Sequence, residues 1–160
     1  MAQPVVHQAQ NSDPEPGPIG ERPYEMAGRR EEPLPLVAFD DVSGWVVEGH
    51  QAEGWLYCSQ DRKLYRDYCG KLVYVGRGQQ PSLLVRPEKP IPIPEPWEAV
   101  SLWTWGNNWG WVPDPGTPPV HAAVVVRDAA GAEFEVPLGF IDYQYWFLMH
   151  GRLRAEESQR

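Results

Sequence analysis

The stretch VHAAVVVRDAAGAEFEV, Val120–Val136, decides the fold class. An apolar run from Val120 to Val126 leads into Asp128-Ala129-Ala130-Gly131, and the chain resumes in strict alternation as Glu133-Phe134-Glu135-Val136. Branched side chains suit a pleated, half-buried surface. Alternation at period two turns one face to a core and the other to water. A short Asp-to-Gly link lets the two runs fold back as a hairpin.

The same pattern extends in both directions. Short apolar runs separated by Gly, Pro, Asn and Asp predict strands near 36–40, 44–48, 53–58, 71–76, 82–86, 99–105, 120–127, 132–138 and 144–150. No segment has the 3.6-residue period of a helix. With 18 Pro among 160 residues, long helices have little room. The expected fold is all-β, a two-sheet antiparallel β-sandwich over 36–154. Residues 1–35 read as a Pro-rich, acidic linker or extended N-terminal arm, on which Tyr24-Glu25-Met26 offers large side chains for docking, and 155–160 read as a polar tail. The proline-studded run Arg86 to Pro96 cannot donate a regular ladder and reads as an extended crossover.

Composition narrows the function. A net charge of −8 argues against a nucleic-acid partner, and no apolar stretch approaches the ~20 residues that cross a bilayer. Met1 to Gln10 has neither the basic region nor the apolar core of a signal peptide. His7, His50, His121 and His150 are scattered without metal-hydrolase spacing. There is no phosphate loop and no nucleophile elbow. A pair of glycosidase carboxylates is not visible in sequence, but a chain this short offers little depth for a catalytic cleft. A non-enzymatic monomer is expected. Cys58 and Cys69 either close a small disulfide loop or stay as two thiols.

The informative segment for binding is Val100 to Trp111. Alternation sets Val100, Leu102 and Thr104 on a core-facing side and Ser101, Trp103 and Trp105 on the other, continuing into a Gly-Asn turn that carries Trp109 and Trp111. Indoles stack on the C–H face of a pyranose while neighbouring amides and acids bond its hydroxyls. The candidate ligand contacts are therefore Trp103, Trp105, Asn107, Asn108, Trp109, Trp111 and Asp114, with Tyr65 from the polar connection Ser59 to Gly70. Equally, the loop Val112 to Pro119 could cover these indoles and complete a core. Trp45, Phe39, Phe134, Trp146 and Phe147 sit inside strand patterns and are expected in the core. Acids near chain turns, Asp40, Asp41 and Asp128, are candidate ligands of a structural calcium.

Taken in order, Phe39-Asp40-Asp41 with Gly44-Trp45, Gly70 to Tyr74, Val100 to Asn107, Val124 to Asp128 with Gly131, and Ile141-Asp142 with Trp146 resemble the galactose-binding-domain-like jelly rolls. The resemblance runs from Leu36 to about Leu153. It implies a jelly-roll sandwich, often with a structural calcium, serving as a non-catalytic carbohydrate-binding module of bacterial polysaccharide-degrading enzymes. It further implies an extracellular or periplasmic place as part of a larger protein, and two partners: a polysaccharide or oligosaccharide, and the catalytic domain of the same parent chain. Some such domains act only as interdomain spacers.

Overall fold

A computed structural model of the chain describes residues 3–20, 35–64, 67–94, 96–107, 109–110 and 120–153. Among these residues there is no helix. The strands are β1 (Val5–Gln8), β2 (Trp45–His50), β3 (Ala52–Ser59), β4 (Cys69–Gly76), β5 (Ser82–Pro87), β6 (Ala99–Trp105), β7 (Val120–Arg127), β8 (Glu133–Ile141) and β9 (Trp146–Arg152). They pair in antiparallel sheets, β1-β2-β5, β3-β4, β6-β9 and β7-β8. The protein is all-β, built from the elements that a sandwich requires. It divides into two compact units, residues 1–92 with β1 to β5 and residues 93–160 with β6 to β9.

The expected hairpin at 120–136 is the β7-β8 ribbon. Asp128 closes its turn by accepting the Ala130 and Ala132 N–H groups on Oδ1, at 2.9 and 2.8 Å. Val120, Ala122, Val124 and Val126 point inward opposite Ile141, Gly139, Val136 and Phe134. One register shift lies between Ala122 and Ala123, whose partners are Gly139 and Pro137, so Leu138 is the extra residue of a bulge. Gly139 takes φ 113°, which a side chain would resist, and this lets the inward alternation resume beyond Pro137.

Two predicted elements come out differently. The run 36–40 is not a strand: it follows Pro35 without a ladder partner, and Phe39 takes φ 59°. Conversely, Val5–Gln8, inside the stretch expected to be a linker, forms β1 on the edge of β2, from Val5 opposite Gly49 to Gln8 opposite Val46. The chain then crosses to β3. The Gln10 N–H donates to the Leu56 carbonyl at 3.0 Å, the Cys58 N–H donates to the Gln10 carbonyl at 2.9 Å, and the Gly20 N–H donates to the Gln60 carbonyl at 2.9 Å. Residues 3–20 are thus fastened to the first unit along their length. Tyr24-Glu25-Met26 lies outside the described residues.

The first unit closes over Val42, Val47, Leu56 and Cys58, with Ala9, Phe39, Trp45, Leu72, Leu83 and Val85 packed against them. In the second unit the buried side chains include Val136, Tyr143 and Met149. No tryptophan or phenylalanine is fully buried among the described residues. Trp45, Phe39, Phe134 and Trp146 are only half-buried, and Phe147 is 46% exposed.

Cys58 and Cys69 are free thiols. In the β3-β4 ladder Cys58 faces Gly70 while Ser59 faces Cys69, so the two side chains leave opposite faces of the ribbon and cannot meet without a change of register. Each thiol donates instead to a carbonyl, Cys58 to Asp40 at 3.2 Å and Cys69 to Asp61 at 2.8 Å.

Candidate functional site

The β6-β9 ribbon carries the tryptophan segment. Its register sets Ser101, Trp103 and Trp105 opposite His150, Leu148 and Trp146 on one face. Val100, Leu102 and Thr104 stand opposite Gly151, Met149 and Phe147 on the other. Met149 and Tyr143 are buried, and the Tyr143 and Thr104 hydroxyls are hydrogen-bonded, so the second face is the core side. The first face presents Trp105, 38% exposed, with its ring edge-on to Trp146 at 6.1 Å. At the far end of this face Ser101 Oγ bonds His150 Nδ1 at 2.8 Å.

Beyond β6 the chain turns hard against the β8-β9 connection. Gly106 makes this possible, because a Cβ there would lie 2.5 Å from both the Ile141 Cγ2 and the Tyr143 carbonyl oxygen. Two hydrogen bonds then hold the segments together: the Gly110 N–H donates to the Asp142 carbonyl, and Gln144 Nε2 donates to the Asn107 carbonyl, each at 2.8 Å. The result is a run of rings. Trp109 lies 5.8 Å from Tyr145, Tyr145 lies 5.1 Å from Tyr143 and 6.3 Å from Phe147, and Tyr143 lies 5.2 Å from Phe147. Tyr145 and Phe147 are 45% and 46% exposed, above the buried Tyr143. Burial, with Tyr145 and Asp142 nearby, pushes the Tyr143 phenol above its usual range against the opposing hydrogen bond from Thr104, so it stays protonated. Exposed polar side chains, Asn107, Asp142 and Gln144, border these rings. The surface can stack on a flat apolar face and bond the hydroxyls around it.

Of the residues expected in the site, Trp103 and Trp105 share the outer face of β6, while Asn107 and Trp109 join the ring cluster. Asn108, Trp111, Asp114 and Tyr65 lie outside the described residues. Tyr143, Gln144, Tyr145 and Phe147 were not among them. Their signal was the spacing of Tyr143, Tyr145 and Phe147 at every second residue, hidden because Phe147 reads as a core residue.

Two of the three aspartates act locally. Asp41 Oδ1 accepts from the Ser43 N–H and from Asn11 Nδ2, each at 2.8 Å. Those bonds, the Ser43 N–H foremost, bring its carboxyl down to about 2. Asp128 closes the β7-β8 turn, in the other unit from Asp40 and Asp41. Among the described residues no group of three or more His, Cys, Asp or Glu side chains could hold a metal ion. The turns account for Asp41 and Asp128 without one.

No protein-family model, no curated protein and no solved structure matches the chain.

Proposed function

We propose that this chain is a non-catalytic carbohydrate-binding module, a galactose-binding-domain-like jelly roll working as part of a larger, exported polysaccharide-degrading enzyme. The observation that carries the reading is the half-exposed run Trp109, Tyr145 and Phe147, bordered by Asn107, Asp142 and Gln144. Trp103 and Trp105 supply a second stacking surface on the sheet face. Open surfaces of this kind desolvate little area, so affinity is modest. Calcium enters only as a structural ion: coincident melting curves with calcium and with chelator would remove it.

The test is a glycan array on the full chain, followed by Trp109→Ala with Tyr145→Ala, and separately Trp105→Ala. Selective binding lost in the double variant, with the circular dichroism spectrum retained, supports the loop surface; loss only in Trp105→Ala moves the contact to the sheet face. A blank array from a folded chain overturns the reading. It would favour a structural domain packing on a catalytic neighbour, for which the exposed Trp105 and Leu148 on the outer face of the β6-β9 ribbon are the supporting observation.

A further inference from the structure

The first unit holds a cleft that the reading above does not use. It is an open depression of about 250 Å³ beside the irregular segment 36–41, lined by Val37, Phe39, Trp45 and Ile91 together with Asp40 and Asp41. It is large enough to seat one ring-sized ligand. Its walls are supported from behind. Phe39 and Trp45 pack against the core cluster with ring centroids 5.2 Å apart at 49°. Gly70 on β4 lies so close beneath Phe39 that a Cβ would sit 2.9 Å from its Cγ. Phe39 holds φ 59°, a strained conformation for a bulky residue and one that tends to persist at ligand contacts.

The charge is one-sided. Both ionisable residues lining the cleft are acids. Asp41 is exposed, and its hydrogen bonds from Ser43 and Asn11 keep it ionised at any physiological pH. Indole and phenyl faces carry negative quadrupole density that attracts an ammonium group within about 6 Å. Aromatic side chains, an apolar flank and the exposed Asp41 carboxylate suit a ligand that is ring-sized and cationic.

We propose that this cleft binds an organic ammonium carried on a six-membered ring, an amino sugar of the hexosamine type, with the ring against Trp45 and Phe39 and the ammonium toward Asp41. The site belongs to residues 1–92 alone and stands or falls independently of the aromatic surface on β6 and β9.

The experiment is a titration of the full-length ¹⁵N-labelled chain with D-glucosamine, with chelator present, following the Trp45 indole and Ser43 amide resonances. Three probes divide the contributions: glucose has the ring without the charge, N-acetylglucosamine has the nitrogen without the charge, and n-butylammonium has the charge without the ring. Saturable shifts at Trp45 and Ser43 with glucosamine, at least tenfold tighter than with any of the three, are expected. Asp41→Asn, which keeps an oxygen to accept the Ser43 N–H, should weaken binding by about tenfold. Ile91→Lys, at a partly exposed wall position, should abolish it by installing an ammonium of the protein's own. Absence of shifts at Trp45 overturns the site. Equal response to glucose overturns the charge argument, equal response to n-butylammonium overturns the ring argument, and undiminished binding by Ile91→Lys places the sugar elsewhere.

Discussion

Replacing Asp13 with alanine should destabilise this protein although the residue lies in a stretch whose composition reads as linker. The Asp13 side chain is only 6% exposed. Its Oδ2 accepts from Ser59 Oγ at 2.6 Å and from Lys71 Nζ at 2.9 Å, and its Oδ1 accepts from the Glu15 N–H at 3.0 Å. Ser59 is 1% exposed, and Lys71 keeps the Glu15 carbonyl at 2.7 Å but would have Asp61, at 3.9 Å, as its nearest carboxylate in the described cluster. Hydrogen bonds to a charged group contribute about 1.5–3 kcal/mol, and a half-buried lysine without its partner adds desolvation cost, so a loss of about 2–3 kcal/mol is expected. At about 2–4 °C per kcal/mol for a chain of this size, Tm should fall by roughly 4–12 °C. The pH dependence gives a second signature. Burial alone would raise the Asp13 carboxyl, but the bonds from Ser59, Lys71 and Glu15 hold it below its ordinary value. Its stabilising contribution is therefore present above the unfolded-state value of about 3.9 and is lost as pH falls through the folded-state value. Thermal melts of wild type and Asp13→Ala at neutral pH and near pH 3 measure both. A neutral-pH difference within about 0.5 kcal/mol, the usual range for a surface substitution, would refute the docked segment and restore the linker.

Further outcomes follow from the same structure. Both cysteines should resist alkylation until the chain is denatured, because burial pushes the Cys69 thiol up to about 12 and raises Cys58 as well; intact mass before and after reduction should be identical, and a two-proton difference would show the disulfide. Gly106→Ala should cost about 1–3 kcal/mol by overpacking against Ile141 and Tyr143, read by chemical denaturation. Leu56→Ala, at the centre of the first unit, should cost about 2–5 kcal/mol, and a smaller loss in urea unfolding would show that the core lies elsewhere.

Much of the fold was legible because strand periodicity is a local property. The tight Asp128 to Gly131 turn, the alternation around Phe134 and the facing of Trp103 and Trp105 away from Leu102 all follow from neighbours in sequence. Strand β1 was not legible for the opposite reason. Val5–Gln8 is short, mostly exposed and preceded by Pro4, and it becomes a strand through Val46 to Gly49, some forty residues away. Segment 36–40 failed in reverse: its apolar residues promised a strand, but Phe39 at positive φ turns them into the wall of a cleft. Gly106 shows the same limit in the site, since nothing local tells that Ile141 and Tyr143 will press against it.

The distribution of the aromatic residues is the strongest reason to seek a ligand at all. A sandwich can use its aromatics as core filling, and among the described residues this one hardly does: the buried hydrophobic side chains are Val, Leu, Ala, Cys and Met with a single tyrosine. Large rings lose more favourable free energy by staying partly in water than small aliphatics do, and a chain that places Val and Leu inside while leaving Trp105, Tyr145 and Phe147 half outside is not optimising its own stability at those positions. The rings are also not scattered. Trp109, Tyr143, Tyr145 and Phe147 touch one another, and two hydrogen bonds between otherwise irregular segments hold them there. On the proposed reading, a partner that covers those faces would recover what folding leaves unused, and the exposed amides beside the rings would favour one with hydroxyls over a purely apolar surface. Trp109→Ala with Tyr145→Ala should therefore lower ligand affinity far more than it lowers Tm. If Tm falls by more than about 8 °C and binding is unchanged, the rings serve the fold and the ligand must be sought elsewhere.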